Sequence, residues 1–200
     1  VSARAAILAR LRAAPSAPRP APDLPIPARA QQGRQALWPA FLEELTRVAG
    51  TAERVPAAQV PAAVARYLDG LGLPTRGLRS ADLDGYDWAG AGLDLAEGPP
   101  GPDTALTVVS GHAAIAETGS VLVSCGPGRV NSLFVATDTL VLVVPASGLT
   151  GSYEEAFAAL PRPFARATTL ITGPSRTADI EQTLTLGAHG AVRLHVVLAD

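Results

Sequence analysis

Apolar residues follow two different periods in the two parts of this chain. In the first, they recur every three to four positions, the spacing of one face of a helix. Leu37, Trp38, Phe41, Leu42, Leu45 and Val48 predict a helix over Leu37–Val48, with Pro39 in its first turn and Gly50 beyond its end. Val60, Val64, Leu68 and Leu71 predict a second over Ala57–Leu71, with a short strand, Thr51–Val55, between the two. Ser2–Ala14 carries Ile7, Leu8 and Leu11 on one side and Arg4, Arg10 and Arg12 elsewhere, and reads as an N-terminal helical arm. The stretch from Pro15 to Pro27, PSAPRPAPDLPIP, follows it. A proline at nearly every second or third position favours extended polyproline geometry and a semi-rigid spacer. The domain division that follows is 1–35 for helix and linker and 36–200 for the main domain.

The pattern changes after a Gly/Pro/Asp-rich stretch, Gly85–Asp103, in which Trp88 reads as a packing anchor. Leu106–Val109, Ser120–Ser124, Thr139–Val144, Thr168–Thr172 and Leu194–Leu198 are short apolar runs rich in β-branched residues. Unbroken apolar runs suit strands buried on both faces. Ser152-x-x-Glu155 is a capping box opening a helix over Ser152–Leu160. A further helix is expected over Ala178–Leu186, after the Gly173-Pro174 break. Strands alternating with helices predict an α/β fold with a largely parallel sheet flanked by helices.

Composition narrows the chemistry. Two hundred residues, 48% of them apolar, suffice for one domain with a substantial core. A net charge of −2 without a basic block, and only 4% aromatic residues, argue against a nucleic-acid surface. All 16 cationic side chains are arginine, which excludes lysine chemistry, Schiff bases and the lysine-bearing phosphate loop included. Cys125 is the only cysteine, so this sequence holds no disulfide pair, no Cys-x-x-Cys redox motif and no cysteine-ligated iron–sulfur cluster. His112, His189 and His195 match no metal-ligand spacing, and no metal site is expected. The N-terminal stretch is not a secretory signal and no apolar run spans a bilayer, so a cytoplasmic location is expected.

Three clusters are candidates for chemistry. In Ala114-Ile-Ala-Glu117-Thr118-Gly119, a glutamate in an apolar context suits acid–base or nucleophilic work, although a capping or ion-paired glutamate fits as well. Gly126-Pro127-Gly128-Arg129-Val130-Asn131-Ser132 follows a strand and opens a short helix. Backbone N–H groups there, with Arg129 and Ser132, form a candidate anion site. Gly173-Pro174-Ser175-Arg176-Thr177 ends another strand. Ser175 and Thr177 can cap the next helix, Asp179 and Glu181 complement its positive end, and Arg176 remains for a ligand. His189, in a Gly-Ala-His-Gly turn, is a candidate proton-transfer group, whereas His195, inside an apolar strand, reads as structural.

AIAETG (114–119), NSL (131–133), ITGPSRTADIEQTL (171–184) and GAHG…LHVVL (187–198) together resemble the LUD domain of LutC-type lactate utilisation proteins, in order and in spacing. The resemblance spans residues 36–200 broadly and is most specific in the last third. It implies a NagB/RpiA/CoA-transferase-like α/β fold. It also implies a part in oxidising L-lactate to pyruvate beside two partner proteins that carry the iron–sulfur clusters. The stretch Phe134-Val-Ala-Thr137-Asp138 departs from the proline- and histidine-containing stretch common in the family, so no base or metal role transfers there.

The expected function is therefore an accessory component of a lactate utilisation system, with no cofactor of its own and iron–sulfur proteins as partners. Two other readings stand beside it: a small-molecule enzyme of CoA-transferase-like fold using Glu117, and a carboxylate-sensing binding module. Whether the chain is catalytic is left open, with Glu117 and His189 as the candidates. Arg129, Ser132, Gly173, Ser175, Arg176 and Thr177 are the candidate ligand-binding residues. A small carboxylate and a second copy of the chain are further candidate partners.

Overall fold

The structure, a computed structural model, describes residues 2–13, 31, 33–177, 185–186 and 190–200. Among the described residues, five α-helices run in chain order: α1 (Ala3–Ala13), α2 (Arg34–Arg47), α3 (Val60–Gly70), α4 (Ser132–Val135) and α5 (Tyr153–Ala158). The strands are β1 (Thr51–Val55), β2 (Arg76–Arg79), β3 (Asp94–Ala96), β4 (Leu106–Ser110), β5 (Ala113–Ile115), β6 (Ser120–Ser124), β7 (Thr139–Pro145), β8 (Leu149–Thr150), β9 (Thr168–Ile171), β10 (Arg176–Thr177), β11 (Thr185–Leu186) and β12 (Arg193–Ala199).

Six strands form one parallel sheet in the order β1-β12-β7-β4-β2-β3. The apolar runs in β4, β7 and β12 are buried along most of their length because both faces of the sheet are covered. Alternate residues serve different layers. Val109, Leu142, Val144, Val196 and Leu198 pack against Phe41 and Leu45 of α2 and against Val121 and Val123 of β6. Val108, Val141, Val143 and Val197 pack on the other face against Val60, Val64 and Leu68 of α3. Trp88 belongs to that second cluster, its indole N–H donating to the Leu83 carbonyl at 2.8 Å.

The sequence does not foreshadow the second sheet. Strands β8, β5, β6 and β9 form a separate four-stranded sheet, in which β5–β6 and β6–β9 are antiparallel. The runs at 120–124 and 168–171 therefore lie outside the parallel sheet. The cause is local: a tight turn at Thr118-Gly119, with no helix, joins β5 to β6, and antiparallel strands need no crossover. Gly119 has φ +64°, and a Cβ there would lie 2.3 Å from the Leu45 backbone nitrogen, so only glycine lets this turn pass under α2. The outer face of this sheet is closed by α5, with Ile115 and Leu122 against Ala156 and Leu160.

Two expected helices change. The helix over Ala57–Leu71 splits into a 3₁₀ turn, Ala57–Gln59, and α3, where Pro61 lies within the first turn. The helix over Ala178–Leu186 lies outside the described residues except at its end, where Thr185 and Leu186 pair antiparallel with Thr177 and Arg176 as a small ribbon. That ribbon replaces a helical ending for the segment. In α1, Ile7, Leu8 and Leu11 are all exposed.

The topology marks one crevice. From β2 the chain proceeds outward to β3; from β4 it proceeds the other way, to β7 and then β12. The carboxyl ends of β2 and β4 thus flank a topological switch point, the place where open parallel sheets bind ligands.

Candidate functional site

Polar side chains converge at that switch point. The chain leaves β2 through Ser80 into a 3₁₀ turn, Ala81–Leu83, which presents Asp82. The chain leaves β4 through Ser110-Gly111-His112. The loop after β6 adds Cys125 and Arg129. Its turn seats on the Asp82 turn because Gly128 (φ +63°) places its backbone where a Cβ would strike Ala81. The Ser80 N–H donates to the Val108 carbonyl at 3.0 Å and Ser80 Oγ accepts from the Ser110 N–H at 3.2 Å, locking the two strand ends together.

Arg129 is the hub, with its side chain only 13% exposed. Its Nη1 donates to Asp82 Oδ2 at 2.7 Å and to Ser110 Oγ. Ser110 Oγ in turn donates to Asp82 Oδ2. Its Nη2 lies 3.3 Å from His112 Nε2. Its Nε is buried without a hydrogen-bond partner. A guanidinium only donates, so His112 Nε2 accepts and the ring proton sits on Nδ1. Burial, then the adjacent Arg129 charge, holds the His112 imidazole below its ordinary range, against a smaller opposite pull from Asp82. Burial acts to raise the Asp82 carboxyl, but hydrogen bonds from Ser110 and Ser80 and the Arg129 charge outweigh it and hold it below the usual aspartate range.

Two cavities open beside Arg129 and share Cys125, Gly126, Pro127 and Ala165 as walls. One, of about 220 Å³, includes His112, Phe164 and Thr168; the other, of about 630 Å³, includes Asn131 and Arg166. Cys125 Sγ accepts the Ala167 N–H at 3.2 Å.

The structure separates the residues singled out from sequence. Antiparallel pairing sets Ser124 opposite Thr168 and Val121 opposite Ile171, so the loops after β6 and β9 emerge at opposite ends of this sheet. Gly173, Ser175 and Arg176 line a cavity of about 320 Å³ with Leu140 and Leu194, near the amino ends of β7 and β12. The Ser175 N–H donates to the Ala191 carbonyl at 2.8 Å, and Arg176 is exposed. Glu117 lies at that same end: Ser120 Oγ is 2.8 Å from Thr118 Oγ1 and 2.6 Å from Thr172 Oγ1. Glu117 is 8% exposed and its N–H donates to the Gly151 carbonyl at 3.1 Å. His189, Asp179 and Glu181 lie outside the described residues.

In the stretch Gly126–Ser132, where a backbone anion site is expected, several N–H groups are already taken. Gly126 and Arg129 exchange N–H···O bonds with each other, Leu133 and Phe134 N–H groups go to Val130 and Asn131, and α4 is a single turn. Ser132 is half-buried and lines neither cavity beside Arg129. Asp82, Ser110 and His112 were missed from sequence, although Ser-Gly-His directly after a buried parallel run is the signal of a strand-end site. His195 is structural: it is 4% exposed, stacked on Tyr67 at 4.0 Å, with Nδ1 2.8 Å from Thr51 Oγ1. A cavity of about 490 Å³ at the amino ends of β1 and β12 is lined by Tyr67, Arg193 and Arg66, and the last is paired with Glu53. Among the described residues, no cluster of three or more His, Cys, Asp or Glu side chains is arranged to hold a metal ion, and no helix is long and apolar enough to cross a membrane.

Comparison with known proteins places this architecture. The fold matches the crystal structure of a DUF162 family protein from Deinococcus radiodurans with a TM-score of 0.67 at 20% identity, covering 84% of this chain and 99% of that one. Lactate utilization protein C of Macrococcus caseolyticus is 29% identical over 92 residues, 43% of this chain and 40% of that protein. Lactate utilization protein C of Bacillus licheniformis is 26% identical over 101 residues, 48% of this chain and 42% of that protein. The chain thus spans about two fifths of the length of the curated relatives it matches. Residues 103–199 match the LUD domain model, a span that holds Ser110, His112, Cys125, Arg129 and the Gly173–Thr177 turn. The family similarity of this chain is thus to the LUD domain, over residues 103–199.

Proposed function

We propose that this chain is a component of a lactate utilisation system, that it binds a small 2-hydroxy or 2-oxo carboxylate at Arg129, and that partner proteins carry the iron–sulfur clusters. The relatives named for lactate utilisation support the setting. One observation carries the binding role: Arg129, whose side chain lines two cavities at the sheet's switch point, keeps a buried Nε–H without a partner. Asp82 and Ser110 fix the Nη1 end, so the edge formed by Nε and Nη2 is the one a carboxylate takes bidentately. The single cysteine supports the division of labour, since cysteine-ligated clusters need several thiolates. The chain's own part is to select and hold the acid.

The test is growth of a lactate-utilising host whose own copy has been deleted. The wild-type chain restores growth on L-lactate, Arg129→Gln does not, and Glu117→Gln does. Co-purification of the tagged chain with proteins showing the visible absorption of iron–sulfur clusters checks the partners. If Glu117→Gln abolished growth while Arg129→Gln left it intact, carboxylate binding would give way to acyl transfer at Glu117.

A further inference from the structure

His112 stands beside the edge of Arg129 that a carboxylate would take: Nη2 donates one of its two N–H groups to His112 Nε2 at 3.3 Å, and Nε has no hydrogen-bond partner. The ring is half-buried against the wall of the smaller cavity, where Cys125, Thr168 and Phe164 are its neighbours. The charged groups that face it are Arg129, from the loop after β6, and Asp82, from the 3₁₀ turn after β2. The backbone of His112 is fixed: its N–H donates to the Leu122 carbonyl at 2.8 Å, and Gly148 packs directly on its carbonyl oxygen. Only the ring is free to give way.

We propose that His112 couples this site to protons: an incoming carboxylate takes the place of the imidazole on Arg129, and the displaced ring takes up one proton from solvent. This rests on the binding role proposed for Arg129. The charge balance supplies the reason. While Arg129 donates to Nε2, a proton on that nitrogen would face a guanidinium; a carboxylate on Arg129 offsets the guanidinium charge and offers the ring an anion beside Asp82. Binding of one anion then brings one cation into the cavity, and the crevice stays near neutral as it fills. The ligand class follows: monocarboxylates small enough for a cavity of about 220 Å³, bound more tightly as pH falls toward the ordinary imidazole range.

The experiment is isothermal titration of the whole chain with pyruvate and with L-lactate at pH 7, in phosphate and in Tris, whose ionisation enthalpies differ. The expected result is a difference in binding heat between the buffers equal to uptake of up to one proton per ligand. Affinity then falls toward tenfold per pH unit on the alkaline side, and His112→Gln binds with equal heats in both buffers. Equal heats in the wild-type chain, or proton uptake that persists in His112→Gln, overturn the coupling and leave the binding role standing. No binding of either acid under any of these conditions overturns both.

Discussion

Arg129 and His195 show how two buried polar side chains acquire different tasks. Arg129 is held on one edge by Asp82 and Ser110, and its Nε, like His195 Nε2, is buried without a hydrogen-bond partner, but Arg129 lines two cavities. His195 is enclosed by Tyr67, Thr51 and, 3.4 Å from its Nε2, Glu53. Burial pushes its imidazole below the ordinary range, and Glu53 offsets this only in part. The sign of the pH effect follows. Between the lowered native value and the ordinary value of about 6.5, the unfolded chain binds more protons than the folded one, so stability rises with pH. Lowering pH through about 6.5 therefore costs stability, and His195→Gln should flatten that slope. Urea midpoints measured from pH 5 to pH 8 check this; an unchanged slope in the variant would place its origin elsewhere. At this scale the sequence offers both Arg129 and Arg176 and favours Arg176, because neighbours along the chain say nothing of which end of a sheet a loop leaves. The antiparallel partnership of β6 and β9 decides that, and it is a long-range fact.

Elements were legible where a strong local signal existed. The capping residue Ser152 accepts the Glu155 N–H at 3.3 Å, as the S-x-x-E pattern requires, while the Glu155 carboxylate reaches the Gly151 N–H at 2.8 Å, one residue before the cap. Ser152→Ala should cost about 1 kcal/mol of stability, readable by denaturant unfolding. Strands β4, β7 and β12 announced themselves as apolar runs. Strands β2 and β3 did not, since Arg-Gly-Leu-Arg and Asp-Leu-Ala carry little apolar signal and become strands only by pairing at the edge of the sheet. The turn from β5 to β6 is a second test at this scale. Gly119→Ala combines a positive φ with a clash against the α2 backbone, and should destabilise by more than about 1 kcal/mol. A melting curve matching wild type would show that α2 does not seat on this turn as described.

For the whole molecule, the parallel sheet supplies the switch point, the second sheet brings Arg129 to it, and α3 with the 3₁₀ turns closes the opposite face. The α/β class and the family resemblance were readable from pattern and motif. The switch point was not, because it depends on strand order, which periodicity does not encode. The most specific stretch of sequence, around Gly173–Thr177, lies at the other end of the second sheet from Arg129, so the residues that carry the family resemblance and the crevice proposed to bind the acid are separate places. A direct comparison of the two ends decides the account. Calorimetric titration with pyruvate should show binding to the wild-type chain and to Arg176→Gln, and a loss of about tenfold or more in Arg129→Gln, the size expected for charge-assisted hydrogen bonds. Binding retained by Arg129→Gln and lost by Arg176→Gln would move the site to the Gly173–Thr177 end and contradict it.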